Sequence, residues 1–297
     1  MDELGYYPNA NARSLAMNKT GTIGVIMPTT SEELFLNPFF PEALRGILKS
    51  ASKGEYDLLL STNTEKNEEL KIVKNFIRTS KVDGLILMSS KIDDECIAYL
   101  KSINFPFSLI GSPYNFEDEI NYVDNDNELA AYELTTYLIG IGKKRISMIA
   151  GDKSLMVTRK RVEGYKRSLL ENRLQFEESL LFKGSFDEET GYKYGKEIWE
   201  MKNRPDALIV TDDLVAFGAV KLFLTLNVLI PEDIAVASFN NSILSRYSNI
   251  PLTSVDINAV ELGRQAMNLL IEAMRMDIKA KRITIPYTIH KRKSTEG

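Results

Sequence analysis

Few residues in this sequence have the side chains and the spacing that catalysis requires. The 297-residue chain has one histidine, His290, and one cysteine, Cys96, and it lacks a P-loop, a GxGxxG motif after a strand, a GxSxG motif and a spaced Cys/His cluster. The acidic pair Asp212–Asp213 could hold a cation, but no further carboxylates converge on it in the sequence. A carboxylate there can instead accept hydrogen bonds from ligand hydroxyl groups or cap the following helix. We therefore expect a binding protein that is not an enzyme and has no cofactor or metal.

The elements that must position these residues alternate along the chain from residue 22 onward. Short apolar runs and segments of helical period follow one another, which is typical of β-α-β units and parallel sheets. The predicted strands are Thr22–Met27, Tyr56–Leu60, Gly84–Met88, Pro106–Ile110, Ile146–Ala150, Leu180–Phe182, Ala207–Val210 and Ile234–Ser238. The pattern restarts near residue 123, so we expect an α/β fold of two similar doubly wound parallel-sheet lobes. Because ligands bind at the carboxyl ends of such strands, two facing sheets predict a hinged cleft.

Composition restricts the partners and the compartment. The net charge of −4 weighs against a broad basic surface that follows nucleic acid. No apolar run approaches the roughly 20 residues of a membrane span, and the N-terminus lacks the basic and apolar regions of a secretory signal. A lone cysteine cannot form an intramolecular disulfide, which fits a reducing compartment. We therefore expect a cytoplasmic protein that does not interact with membranes.

The segment Glu3–Ala16, ELGYYPNANARSLA, has the features of a short conditional helix. Pro8 is suited to a turn and Asn9 to an N-cap. The helix Ala10–Ala16 is too short to be stable alone, because nucleation dominates segments of fewer than about 12 residues. We expect this segment to order only against a partner, with a flexible tail as the alternative.

This segment resembles the junction and hinge helix of the lactose/galactose-repressor family, which join a helix-turn-helix head to a core like that of type I periplasmic binding proteins. The resemblance spans essentially the whole chain and reappears in TRKRVEGY (158–165), RPDALIVTDDLVAFGAV (204–220) and PLTSVDINAVELG (251–263). It implies that the hinge helices of two chains enter the DNA minor groove. The implied DNA contacts are Tyr7, Asn9, Ala12 and Leu15, with Leu15 as the wedge between base pairs. Most of the DNA-binding head would precede Met1, so we expect this chain alone to bind operator DNA poorly.

The family binds its effector between the lobes, and the resemblance implies which residues contact it here. Arg161 matches an arginine that fixes sugar hydroxyls, and its five-donor guanidinium suits vicinal oxygens; a helix-surface charge is the alternative. Phe39 and Phe186 match aromatic walls of the cleft, with core packing as the alternative. The other implied effector contacts are Ser89, Gly111, Asp212, Asn240 and Asp256, while Asp213 is expected to cap the helix or support the site.

Three positions depart from the lactose repressor. Gly111 and Asn240 stand where that protein has aspartates, and Ile257 replaces a glutamine. A glycine enlarges the cleft, an asparagine donates as well as accepts, and the pair Phe39–Phe40 adds apolar walls, which together suit a larger glucoside. With the motifs NPFFPE, SFNNS and LTSVDIN, the chain is most similar to the maltose-operon repressors of Gram-positive bacteria. This similarity implies maltose or a maltodextrin as the effector.

The resemblance also implies partners and a domain division. A homodimer would bind a palindromic operator, and the effector would control DNA affinity by closing the cleft. Some members of the family respond instead to a phosphocarrier protein. The implied segments are 1–19 for the end of the DNA-binding head and the hinge helix, 20–122 with 259–286 for the N-terminal lobe, and 123–258 with 287–297 for the C-terminal lobe. The alternative is a transport-type sugar-binding protein with no DNA role, for which the hinge segment would have no use.

Overall fold

The computed structural model describes residues 19–28, 30–62, 68–275 and 280–296. The predicted hinge contacts Tyr7, Asn9, Ala12 and Leu15 lie outside the described residues.

Within these ranges the strands form two six-stranded sheets. The first contains β1 (Thr22–Ile26), β2 (Asp57–Ser61), β3 (Gly84–Leu87), β4 (Phe107–Ile110), β5 (Tyr122–Asp124) and β11 (Arg282–Thr284), in the spatial order β11-β5-β4-β3-β1-β2. The second contains β6 (Ile146–Ala150), β7 (Leu181–Lys183), β8 (Ala207–Val210), β9 (Ala235–Phe239), β10 (Thr253–Asp256) and β12 (Thr288–His290), in the order β12-β10-β9-β8-β6-β7. Every pair is parallel except β10–β12. The predicted fold of two doubly wound parallel-sheet lobes is confirmed.

Helices cover both faces of the sheets. They are α1 (Ser31–Leu36), α2 (Phe39–Gly54), α3 (Glu69–Arg78), α4 (Glu95–Ser102), α5 (Asn127–Gly140), α6 (Met156–Glu171), α7 (Glu188–Glu200), α8 (Asp213–Thr225), α9 (Ile243–Tyr247) and α10 (Ala259–Arg275). The helices pack most extensively as the pairs α2–α10, α5–α6 and α7–α8.

Two boundaries differ from the sequence-based expectation. Helix α6 begins at Met156, although the apolar period indicated a start near Val162. Its first turns bury the polar residues Thr158 and Arg161, so the apolar stripe is absent where the helix starts. Strand β5 ends at Asp124, which places Val123 and Asp124 in the first sheet, just past the predicted lobe boundary at 122.

One apolar cluster extends through both lobes and joins them at the hinge. It includes Ile23 and Ile86 of the first sheet and Ile146 and Ile209 of the second, all at most 2% exposed. Burying one such side chain contributes about 1.5–3 kcal/mol relative to leaving it exposed. The cluster also contains Ile257 and Ile285 of the connections between the lobes, so the packing is continuous from one lobe to the other.

Candidate functional site

The two lobes meet where the carboxyl ends of their strands face each other. The N–H of Met156, at the start of α6, donates to the carbonyl of Ser90 beyond β3 at 3.0 Å. A side-chain contact also crosses the cleft, since Asn37 Nδ2 of the first lobe donates to Asp212 Oδ2 of the second at 2.9 Å. These contacts place the cleft between residues that follow β1 and β3 on one side and β6 and β8 on the other.

Asp212 is the acceptor at the centre of this cleft. Its Oδ2 accepts from Asn37 Nδ2 at 2.9 Å and from Asn240 Nδ2 at 2.8 Å, while its Oδ1 accepts from Leu214 N–H at 2.7 Å. The last bond makes Asp212 the N-cap of α8. The carboxylate therefore caps the helix through one oxygen and presents the other to amide donors from both lobes.

Arg161 lies beside this carboxylate and is 4% exposed, so it is not a helix-surface charge. Its Nε donates to Asn127 Oδ1 at 2.9 Å and its Nη1 to the carbonyl of Thr211 at 2.6 Å. The guanidinium also stacks on Phe239, with Cζ 4.1 Å from the ring centroid. Among the described residues, these bonds use two of its five N–H groups, which leaves donors for a ligand.

The charges in the cleft strongly affect one another. Burial lowers the pKa of Arg161 to about 10, although the neighbouring aspartates oppose that shift. Burial and the adjacent Asp213 raise the pKa of Asp212 to about 7, and burial raises that of Asp124 to about 6. The buried carboxyl groups of Asp212 and Asp213 and the partly buried one of Asp124 thus lie around one buried cation, an arrangement that disfavours further negative charge.

Asp213 supports the site without capping the helix, so the expected capping role belongs to Asp212. The Oδ1 of Asp213 accepts from the hydroxyls of Ser238 at 2.5 Å and Ser254 at 2.8 Å, and its Oδ2 accepts from Ser242 N–H at 2.6 Å. These bonds join β9, β10 and the loop after β9, which fixes the loop that carries Asn240.

The predicted aromatic walls are half-buried on opposite sides of the cleft. Phe39 packs edge to face on Phe40 with centroids 5.3 Å apart, and both rings contact the large apolar cluster. Phe186 lies over Gly151, where an added Cβ would stand 2.2 Å from its Cζ. Both rings therefore pack against the core, while each keeps an exposed part.

Of the remaining predicted effector contacts, Ser89 and Gly111 follow strands of the first lobe, whereas Asp256 has partners of its own. Ser89 is half-buried after β3. The nearby Gly111 has φ of +104°, so its backbone conformation favours glycine, although an added Cβ would meet no atom closer than 3.9 Å. Asp256 has other partners than Asp212: its Oδ2 accepts from Asn241 Nδ2 at 2.9 Å and lies 3.6 Å from His290 Nε2. The structure thus brings Arg161, Asp212 and Asn240 together but gives Asp256 separate partners.

Two site residues were missed by the sequence reasoning. Asn37 is the first residue of the motif NPFFPE, and this motif is a signal from which Asn37 could have been predicted as a cleft residue. Asn127 begins α5 and carries no such signal, although its Oδ1 orients Arg161. In the described part of the chain, no group of three or more His, Cys, Asp or Glu residues could hold a metal ion. Nor is any described helix long and apolar enough to cross a membrane.

The raised pKa values predict that the folded protein loses stability as pH rises. A carboxyl group whose pKa is higher in the folded state than in the unfolded chain favours folding while it is protonated, and that contribution is lost as pH rises from about 4 through about 7. We expect the free energy of unfolding in urea to fall by on the order of 2 kcal/mol between pH 5 and pH 8. In Asp212→Asn much of this fall should disappear. Glu197→Gln, on an exposed helix surface, is the matched control, and equal pH profiles for the two variants would contradict the prediction.

Comparisons with known proteins extend over the whole core. Residues 135–295 match the family model of a periplasmic binding protein-like domain. The chain is 35% identical over 287 residues to the HTH-type transcriptional regulator MalR of Streptococcus pneumoniae, which covers 95% of this chain and 84% of that protein.

Two solved structures share the fold along nearly the whole chain. A complex of the transcriptional regulator CelR with cellobiose has a TM-score of 0.88 at 26% identity and covers 99% of this chain and 88% of that one. A probable maltose operon transcriptional repressor, MalR, of Staphylococcus aureus has a TM-score of 0.85 at 27% identity and covers 94% of this chain and 99% of that one.

Proposed function

Because the chain belongs to the LacI family of transcriptional regulators, which are not enzymes, we propose that its cleft binds maltose or a short maltodextrin and thereby controls operator binding by a homodimer. The repressor role is that of its relatives. The alternative of a transport receptor with no DNA role is disfavoured, since the relatives that match 95% of this chain are DNA-binding regulators.

The observation that carries this proposal is the cluster of Arg161, Asp212 and Asn240. It offers free guanidinium donors next to a carboxylate that already accepts from two amides. Sugar hydroxyls donate and accept, so they can bind the guanidinium and replace the amide donors on Asp212. The excess of buried carboxyl groups disfavours a phosphorylated ligand and favours a neutral one.

The walls of the cleft and the solved relatives support a ligand of disaccharide size. Half-buried rings of Phe39 and Phe186 provide apolar surface for the faces of sugar rings. Gly111 keeps the end of β4 free of a side chain. A related regulator of the same fold was solved with the disaccharide cellobiose, and another is a probable maltose operon repressor. These features support a glucose disaccharide rather than a galactoside.

The proposed dimer is supported by apolar side chains on the surface of the second lobe. Ile243 and Tyr247 lie one turn apart on α9 and are 62% and 80% exposed. Large apolar groups exposed to this degree on one helix are typical of protein interfaces. A twofold dimer would place the two chains in the arrangement that a palindromic operator requires.

Maltose is expected to stabilise this chain against heat. A ligand at about 100 times its dissociation constant adds about 2.7 kcal/mol to the free energy of unfolding, because it binds only the folded state. We would compare maltose, maltotriose, cellobiose, lactose and glucose 6-phosphate by thermal shift and then by calorimetry. Stabilisation by maltose or maltotriose and not by lactose supports the proposal. Stabilisation by the phosphosugar alone would contradict it, and release of operator DNA by maltose in the full-length protein would test the regulatory step.

A further inference from the structure

Over the residues that the structure describes, the chain crosses between the lobes three times, and one side chain joins all three crossings. Asn125 lies in the first crossing, directly after β5. Its Nδ2 donates to the carbonyl of Ile257 in the second crossing at 3.1 Å and to that of Ile285 in the third at 2.8 Å. Both N–H groups of one buried carboxamide therefore bind the other two crossings.

A second asparagine connects this junction to the cleft. Asn127 Oδ1 accepts from Arg161 Nε at 2.9 Å, and its Nδ2 donates to Asp124 Oδ1 at 2.9 Å. The same Asp124 oxygen accepts the backbone N–H of Asn125 at 2.8 Å. A path of hydrogen bonds thus leads from the guanidinium in the cleft through Asn127 and Asp124 to Asn125 in the first crossing, whose side chain binds the carbonyls of the second and third crossings.

We propose that Asn127 is a positioning residue for Arg161 and that Asn125 is a hinge clasp, so that the pair couples a ligand on Arg161 to the relative movement of the lobes. This proposal rests on the proposed function. Here the Asn125 side chain with the crossings at residues 125, 257 and 285 is called the clasp.

The chemistry of the carboxamide explains why asparagine stands at both positions. Asn127 must accept from a cation and donate to an anion, and an amide does both while a carboxylate or a hydrocarbon cannot. Asn125 needs two donors on one nitrogen for two carbonyls. Both residues are buried, so a substitution that cannot make the same hydrogen bonds leaves buried polar groups unpaired. On this proposal, movement of the guanidinium reaches the crossings through Asn127 and Asp124.

The clasp can be tested without any ligand by hydrogen exchange on this chain. In Asn125→Ala, the crossing amides, including Ile285 N–H, which donates to the carbonyl of Asp124 at 2.8 Å, should exchange at least about tenfold faster than in the wild type. Strands β3 and β8 should exchange as before. Asn115→Ala, at an exposed asparagine, is the matched control. Unchanged crossing amides, or equal acceleration throughout both sheets, would overturn the clasp.

The positioning role is tested with maltose as the probe in calorimetry. We expect Asn127→Ala to weaken maltose binding at least about tenfold and Asn125→Ala to weaken it less than about threefold. Addition of maltose should slow hydrogen exchange of the crossing amides in the wild type but not in Asn125→Ala. In Asn127→Asp, the new carboxylate faces Asp124, so its loss of affinity should be smaller at pH 5 than at pH 8.

The outcomes separate this proposal from the proposed function. Wild-type affinity in Asn127→Ala, or a loss in Asn127→Asp that does not depend on pH, would overturn the positioning role. If the wild type binds no maltose, the proposed ligand is wrong, whereas the ligand-free exchange still decides whether Asn125 is a clasp.

Discussion

Alanine at Gly218 is expected to lower the free energy of unfolding by about 3 kcal/mol or more, because two helices touch through this glycine without a side chain between them. A Cβ added at Gly218 of α8 would lie 2.0 Å from the carbonyl oxygen of Glu188 in α7. The reverse contact is equally close, since a Cβ on Gly191 would lie 1.8 Å from the carbonyl oxygen of Val215. Backbone atoms cannot rotate away, so the helices must separate and expose the core between them.

The measurement is urea unfolding of Gly218→Ala beside Gly140→Ala. Gly140 ends α5, is exposed and has no atom within 4 Å of an added Cβ. Alanine there should raise stability by up to about 1 kcal/mol, because glycine is the poorer helix former. If Gly218→Ala unfolds within about 0.5 kcal/mol of the wild type, the close helix contact is absent in solution.

A glycine also lies against a backbone carbonyl of the partner helix in the pairs α2–α10 and α5–α6, so all three helix pairs pack closely in the same way. Gly46 of α2 and Gly263 of α10 would each bring a Cβ to 1.9 Å from a carbonyl oxygen of the partner helix. Gly164 of α6 would come to 2.0 Å from the carbonyl oxygen of Glu128. The sequence shows these glycines inside helical segments but not which helix each one meets, so periodicity predicted the helices and not their closest contacts.

The fold was largely predictable because parallel strands buried on both faces are continuous apolar runs. Gly84–Leu87 and Ala207–Val210 are fully buried, and both were predicted as strands. The start of α6 was not, because Thr158 and Arg161 point inward and remove the apolar period. Local patterns fail where the function requires polar side chains in the interior.

The family resemblance named candidate residues for the site, but it did not indicate their hydrogen-bond partners. Arg161 and Asp212 were named from the sequence, and the structure places both in one buried cluster. The residues that orient them, Asn37 and Asn127, lie 175 and 34 positions away from their partners along the chain. No local pattern encodes a hydrogen bond of that separation. The same limit explains why Asp212 could not be assigned to capping or to the cleft, although it serves as the cap and also lies in the cleft.

Methionine at Arg161 is expected to weaken maltose binding at least about a hundredfold, because it removes the charged donors that the proposed site offers to sugar hydroxyls. The structure adds a cost that the sequence did not indicate. Without the guanidinium, Asn127 Oδ1 and the carbonyl of Thr211 lose a donor, and the buried carboxyl groups lose their cation. We expect about 3 kcal/mol of lost stability, partly offset at low pH by protonation of Asp212.

Urea unfolding of Arg161→Met must therefore precede calorimetry, so that binding is measured on folded protein. The matched control is Arg204→Met, which removes the same charge from an exposed guanidinium that stacks on Trp199, with Cζ 4.1 Å from the ring centroid, before the amino end of β8. Its maltose affinity should stay within about threefold of the wild type. A folded Arg161→Met that binds maltose as tightly as Arg204→Met would exclude the guanidinium as a sugar contact. Affinity lost only in Arg161→Met would identify this buried cation as the group that binds the ligand and also holds the carboxyl groups of the cleft together.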